Sequence, residues 1–155
     1  MPNPNLDRAR AFLACRRLAL VGASRDPRSF SRAVQRALVA RGYDVVSVNP
    51  AASEGAGSVT RISDALPAPE AALLMTPPAR SAEAVRDCLA AGVRRIWFHR
   101  GGGAGSSSPE AVALCRAAGV EPVVDLCPFM VLPGAGVVHK LHAFFRTRRA
   151  EAAAR

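Results

Sequence analysis

Residue types suited to phosphate, proton and metal chemistry occur in this chain, most of them just after apolar runs. Gly22, Ala23, Ser24 and Arg25 follow the run from Leu18 to Val21. Small residues there let an anion approach the backbone, and the serine hydroxyl can donate to a phosphate oxygen. The helix that follows offers unpaired N–H groups and the positive end of its dipole. The turn reads GASRDP, without the GxGxxG spacing of nicotinamide-dinucleotide sites, which also need an acid after the second strand to hold ribose hydroxyls. The second apolar run ends instead in Asn49 and Pro50. A neutral amide tolerates a phosphate beside the ribose where a carboxylate would repel it. The chemistry that fits is recognition of a ribose-phosphorylated adenosine ligand.

Other candidates stand at the remaining run ends. Thr76, Pro77 and Pro78 combine a rim hydroxyl with a rigid apolar wall that offers no N–H groups at its prolines. Arg100, followed by Gly101, Gly102 and Gly103, can pair with a phosphate where the backbone admits close approach. His99 and Asp125 are the imidazole and carboxylate expected at one rim, so a general-base pair is weighed. Cys127 is weighed as a thiol for a mixed disulfide, against the commoner fate of a core cysteine. His139 and His142, three apart on an expected helix, share a face and with Cys127 make a weak metal set. No catalytic residue and no metal ligand is assigned from these.

Five segments must position these residues as strands. Leu18–Val21, Tyr43–Pro50, Ala71–Pro78, Arg94–Arg100 and Glu121–Pro128 are apolar on both faces, as parallel strands covered by helices on each side must be. Helical patterns lie between them. The first has Val34, Leu38 and Val39 on its inner stripe, Ser29 or Ser31 at its start and Gly42 at its end. The second runs from Ser81 as N-cap to Gly92, and the third from Ser108 and Pro109 to Gly119. Residues 51–69 read as a loop with one helical turn near Ser63–Leu66. Leu6 to Cys15 and the stretch from His139 onward, apolar at Leu141, Phe144 and Phe145, read as further helices.

Strand–helix alternation predicts an α/β, Rossmann-like three-layer sandwich with a five-stranded parallel sheet of order 3-2-1-4-5. Its ligand crevice lies at the strand carboxyl ends, where the order reverses beside the first strand. At 155 residues the chain is expected to be one domain, with a core over residues 16–134 and a C-terminal helix and tail over 137–155. Its cysteines, Cys15, Cys88, Cys115 and Cys127, form no CxxC pair and read as reduced core residues, consistent with a cytoplasmic protein without a secretion signal or membrane span. The formal charge of +9 suits an anionic partner. Lys140 is the single lysine beside twenty arginines, so the basic balance reads partly as composition bias.

Taken together, "VGAS", "VNP", "TPP", an aromatic strand followed by glycine, and "DLCPFMVLPG" form an ordered set. Over about Leu18 to Gly134 it resembles the small stand-alone CoA-binding proteins, whose domain also stands at the front of the alpha subunit of succinyl-CoA synthetase. The resemblance implies bound coenzyme A. Gly22, Ala23, Ser24 and Arg25 would form the phosphate turn, Asn49 and Pro50 would lie beside the nucleotide, and Thr76, Pro77 and Pro78 would form the opposite wall. Charge alone suggests Arg28 or Arg32 for the ribose phosphate and Arg100 for a further contact. In the synthetases the phosphorylated histidine belongs to a second domain, so no active site comes with the likeness.

The expectation is therefore non-catalytic binding of coenzyme A or an acyl-CoA, as carrier, sensor or regulatory protein. The alternatives are an enzyme subunit in acyl-CoA or CoA-transfer chemistry, and NAD(P)-type nucleotide binding. Few aromatics are available for base stacking and no nucleic-acid-binding signature appears, so a nucleic-acid role ranks below these. A homodimer or a partner protein stays open.

Overall fold

The computed structural model describes residues 1–51, 58–100 and 103–134. Helix α1, Pro4–Leu13, is capped by Asn3, whose side chain accepts from the amides of Asn5 and Leu6, and it starts with proline at its first position. Strand β1, Arg17–Val21, leads to α2, Phe30–Val39, and then to β2, Asp44–Val48. A two-residue strand β3, Ser58–Val59, and a 3₁₀ turn, Ile62–Asp64, precede β4, Ala71–Leu74. Helix α3, Pro78–Ala90, β5, Ile96–His99, helix α4, Pro109–Ala117, and β6, Val123–Leu126, complete the alternation. A second 3₁₀ turn, Pro128–Met130, follows.

All described strand pairs are parallel, in the order β3-β2-β1-β4-β5-β6. The expected class and the reversal beside β1 hold, with a correction to the strand identities. The third place belongs to Ser58–Val59, in the segment read as loop, and so Ala71–Leu74 is the fourth strand and pairs with β1 through Leu18↔Ala71 to Val21↔Leu74. Two residues are too few to display a period of two, which is why the pattern does not reveal β3.

Alternation along each strand divides the core into two layers. Leu18, Leu20, Leu73 and Trp97 face α1 and α2, where they meet Phe12, Val34 and Leu38. Ala19, Val21, Leu74 and Phe98 face α3 and α4, where they meet Val85, Cys88 and Cys115. Burial of both faces explains the absence of polar alternation in the strand sequences. Phe12 meets Trp97 edge to face at 5.3 Å, and the indole N–H donates to the Leu126 carbonyl at 2.9 Å.

Helix ends follow the sequence in five of six expected places. Ser29 caps α2, accepting from the Arg32 amide at 3.3 Å, and Ser108 caps α4, accepting from the Ala111 amide at 3.1 Å. Gly42, Gly92 and Gly119 follow the last turns. Ser81 is the correction: α3 starts earlier, at Pro78 with Pro77 as its cap residue, and Ser81 lies fully buried inside the first turn. The proline pair both ends the β4 segment and begins the helix, since proline at the first helical position forfeits no hydrogen bond.

Strand β6 carries an irregularity, with Trp97 opposite Val123 and His99 opposite Leu126. Its outer edge meets the Asn5 side chain, which donates to the Val124 carbonyl at 2.7 Å and accepts from the Val124 amide at 3.1 Å. The expected C-terminal helix and tail, with His139 and His142, lie outside the described residues. No helix among the described residues is long and apolar enough to cross a membrane.

Candidate functional site

The carboxyl ends of β1, β2 and β4 enclose a cleft of about 210 Å³ on the α3 side of the sheet. Gly22 and Thr76 stand side by side at its base. Gly22 has φ +85°, and a Cβ built on it would lie 2.9 Å from both the Thr76 amide nitrogen and its methyl carbon. Only glycine allows that approach, on conformational and steric grounds together. Gly22 also donates to the Val48 carbonyl at 2.9 Å, and Met75 donates to the Val21 carbonyl at 2.8 Å, so three strand ends are laced at this point.

Asn49 ties the β2 end to the β1 turn. Its amide group donates to the Ala23 carbonyl at 3.0 Å and its side-chain oxygen accepts from the Ala51 amide at 2.9 Å. A carboxylate there could not make the first bond. The neutral side chain expected for electrostatic tolerance is thus also demanded by the local hydrogen bonding. Asn49, Pro50, Gly22, Thr76 and Pro77 all line the cleft.

Four other expected residues are placed elsewhere. Ala23 is buried, Pro78 opens α3, and neither Ser24 nor Arg25 is in the cleft lining. The turn also offers fewer amides than its sequence promises. The Ser24 amide donates to the Ser31 hydroxyl at 2.9 Å, the Asp26 amide to the Ser24 hydroxyl at 3.1 Å, and the Arg28 amide to the Asp26 carboxylate at 2.9 Å. Arg28 also faces Asp26 at 3.6 Å and Arg32 donates to Gln35 at 2.6 Å. Arg25 is exposed and makes no ion pair among the described residues.

Arg100 is a second departure. Its guanidinium pairs with Asp125 at 2.9 Å, and both side chains are more than half exposed. Asp125 itself sits at φ +54°, a left-handed conformation that aspartate adopts more readily than most residues. His99 stacks on Phe30 at 4.7 Å, and Phe30 in turn meets Phe129 edge to face at 5.5 Å. The carboxylate weighed as a partner for His99 is thus engaged by an arginine.

Sequence reading did not single out the α3 side of the cleft. Arg80, Glu83 and Asp87 project from successive turns of that helix, with Arg80 bonded to Glu83 at 3.0 Å and Arg61 to Asp87 at 3.3 Å. The signal was available: these polar positions recur at three and four residues, on the face turned away from the buried Val85.

Ser81 anchors the β4 end from beneath. Its hydroxyl lies 2.8 Å from that of Thr76 and donates toward the Pro77 carbonyl at 3.2 Å and the Ser106 carbonyl. The Ser106 hydroxyl reaches the Leu74 carbonyl at 2.8 Å, and the Ser106 amide donates to the His99 carbonyl at 2.9 Å.

The four cysteines are free and buried. Burial pushes Cys88, at the cleft floor, up to about 12, helped by the nearby Asp87 charge. Burial likewise raises Cys115 to about 11 and raises Cys127, although the Phe129 and Met130 amides partly offset the effect at Cys127. A thiol raised in this way holds little thiolate near neutral pH. No group of three or more metal-binding side chains occurs among the described residues.

Similar folds exist in solved structures. A hypothetical protein from Pyrococcus horikoshii OT3 is 28% identical with a TM-score of 0.70, over 79% of this chain and 86% of that one. A Thermus thermophilus protein is 26% identical with a TM-score of 0.67, over 79% and 92%. The acetyl-coenzyme A synthetase 1 of Ca. Korarchaeum cryptofilum, solved with phosphate and ADP, matches at 26% identity and a TM-score of 0.60, over 76% of this chain but 27% of the synthetase. The model of the CoA binding domain matches residues 16–133, which span every described strand and every described element that borders the cleft. On that match, the chain belongs to the CoA binding domain family.

Proposed function

We propose that this chain binds coenzyme A or an acyl-CoA in the cleft at the carboxyl ends of β1, β2 and β4, and that it serves as a carrier, sensor or regulatory protein without catalysing a reaction of its own. The observation that carries the reading is the contact of Gly22 with Thr76 beside the neutral Asn49. That contact brings backbone to the floor of a cleft whose β2 wall bears no carboxylate. The phosphates extend toward the exposed Arg25 at the mouth of the β1 turn, where salt screening is partial and cations add modestly to affinity. The non-catalytic part is supported by the rim itself: Asp125 is engaged with Arg100, His99 is stacked on Phe30, and the cysteines are held as thiols.

Isothermal titration of the full chain with CoA, dephospho-CoA and NAD tests it. CoA is expected to bind most tightly, dephospho-CoA about tenfold more weakly through loss of a charge-assisted contact, and NAD more weakly still. Binding indifferent to the ribose phosphate refutes the assignment of ligand. Turnover of an acyl-CoA by the purified chain, abolished by His99→Ala or Asp125→Ala, refutes the non-catalytic role.

A further inference from the structure

The hydrogen bonds beneath the cleft determine which way one hydroxyl points. A hydroxyl carries a single proton and two lone pairs, whereas a carbonyl oxygen only accepts. Ser81 Oγ donates toward the carbonyls of Pro77 and Ser106; the Pro77 carbonyl also accepts from the Arg80 amide at 2.9 Å, so the proton is directed chiefly at the Ser106 carbonyl. Its third contact is Thr76 Oγ1 at 2.8 Å. With the Ser81 proton committed to the Ser106 carbonyl, the proton between the two hydroxyls must come from Thr76. Ser81 is fully buried, so no water competes for these positions.

The neighbouring protons are committed in the same way. The Ser106 amide serves the His99 carbonyl, and the Ser106 hydroxyl serves the Leu74 carbonyl. Reversing Thr76 would turn the Ser81 proton away from the Ser106 carbonyl and set two buried oxygens against each other with no proton between them, an interaction expensive to leave unmade. Thr76 is held from its other side as well, since its methyl abuts the position a Gly22 side chain would fill.

We propose that Thr76 is a specificity-determining residue that presents only lone pairs to the cleft, so the ligand group seated against it is a neutral hydrogen-bond donor, an amide N–H, an amino group or a hydroxyl, and never a phosphate oxygen. The ligand half of this rests on the CoA reading above. It seats the phosphates away from Thr76, and it leaves two parts of CoA that carry such donors, the pantetheine amides and the adenosine moiety.

The direction of the proton is tested without ligand. In the NMR spectrum of the full chain, the Thr76 hydroxyl proton is expected in slow exchange with a cross-peak to the Ser81 β protons, and lost in Ser81→Ala. A hydroxyl proton belonging to Ser81 and directed at Thr76, or a Thr76 proton in fast exchange, overturns the proposal. Titration with CoA, pantetheine and adenosine 3′,5′-bisphosphate then tests the consequence. Thr76→Val is expected to weaken CoA about fivefold, and Thr76→Ser to stay within about twofold of the original chain, as loss or retention of one acceptor implies. The fragment whose affinity falls in Thr76→Val is the one that supplies the donor. Equal CoA affinity for Thr76→Val and the original chain overturns the proposal while leaving CoA binding intact. Absence of CoA binding by the original chain instead overturns the functional reading and the ligand half together, and the NMR result still judges the proton.

Discussion

Replacing Gly22 by alanine separates the two demands that the cleft floor makes on that position. An L-residue held at a positive φ costs about 1–2 kcal/mol. Gly92, at φ +80°, carries this cost alone, because a Cβ there meets nothing within 4 Å. Gly22, at φ +85°, carries it together with contacts of 2.9 Å to the Thr76 methyl and amide nitrogen and 3.1 Å to the Met75 carbonyl carbon. Two of these are backbone atoms, which cannot swing aside as a side-chain end can. Overpacking against a fixed neighbour adds about 1–3 kcal/mol, giving a total near 3 kcal/mol for Gly22→Ala against about 1 kcal/mol for Gly92→Ala. For a chain of this size each kcal/mol lowers the melting temperature by about 2–4 °C. Thermal melts followed by circular dichroism should therefore fall by about 6–12 °C for Gly22→Ala and about 2–4 °C for Gly92→Ala. CoA titration of the folded variants should show loss only for Gly22→Ala. Equal melting shifts would refute the argument that close approach to Thr76, rather than backbone conformation alone, reserves this position for glycine.

Three further outcomes follow from the same structure. Asn49→Asp keeps the acceptor for the Ala51 amide but sets a carboxylate against the Ala23 carbonyl, so it should destabilise by about 1–3 kcal/mol in urea melts and weaken CoA more than it weakens NAD. Glu70 accepts from the Arg17 and Arg16 amides, each at 3.0 Å, and these bonds hold its pKa below the ordinary value of 4.5. A depressed folded-state pKa contributes stability that is present above 4.5 and lost as pH falls through the folded value, so urea midpoints of Glu70→Gln and the original chain should converge in acid and differ at pH 6–7. The described cysteines are all buried, so a thiol reagent at pH 8 should label the native chain slowly and the urea-unfolded chain at once; rapid native labelling at Cys127 would reopen a thiol role.

How far the sequence carries the structure depends on how many residues share a signal. The α/β class was legible because Leu18–Val21, Ala71–Leu74 and Ile96–His99 are apolar on both faces, a pattern that parallel strands between helices impose over four or more positions. Ser58–Val59 offers two positions and no pattern, so the strand that shifts Ala71–Leu74 from third to fourth was invisible. Single polar residues were harder. Ser81 has the type of an N-cap, but Pro77 and Pro78 had already started the helix, and burial then turned the serine to internal carbonyls. Ser31 likewise serves the Ser24 amide rather than the helix start. Gly22, Asn49 and Thr76 converge as strand-end residues should, because topology fixes where strands end. Arg100 does not join them, since Asp125, remote in sequence, takes its guanidinium.

The bond pair between Asn5 and Val124 has a bearing on what the margin of the sheet can pair with. One amide side chain supplies both the donor and the acceptor that an adjoining backbone would otherwise bring, so the last strand is finished from within. The opposite margin, only two residues long, gives an incoming chain little to grip. Exchanging Asn5 for alanine unseals the first of these margins, and the resulting protein should self-associate on concentration through strand addition rather than through its cleft.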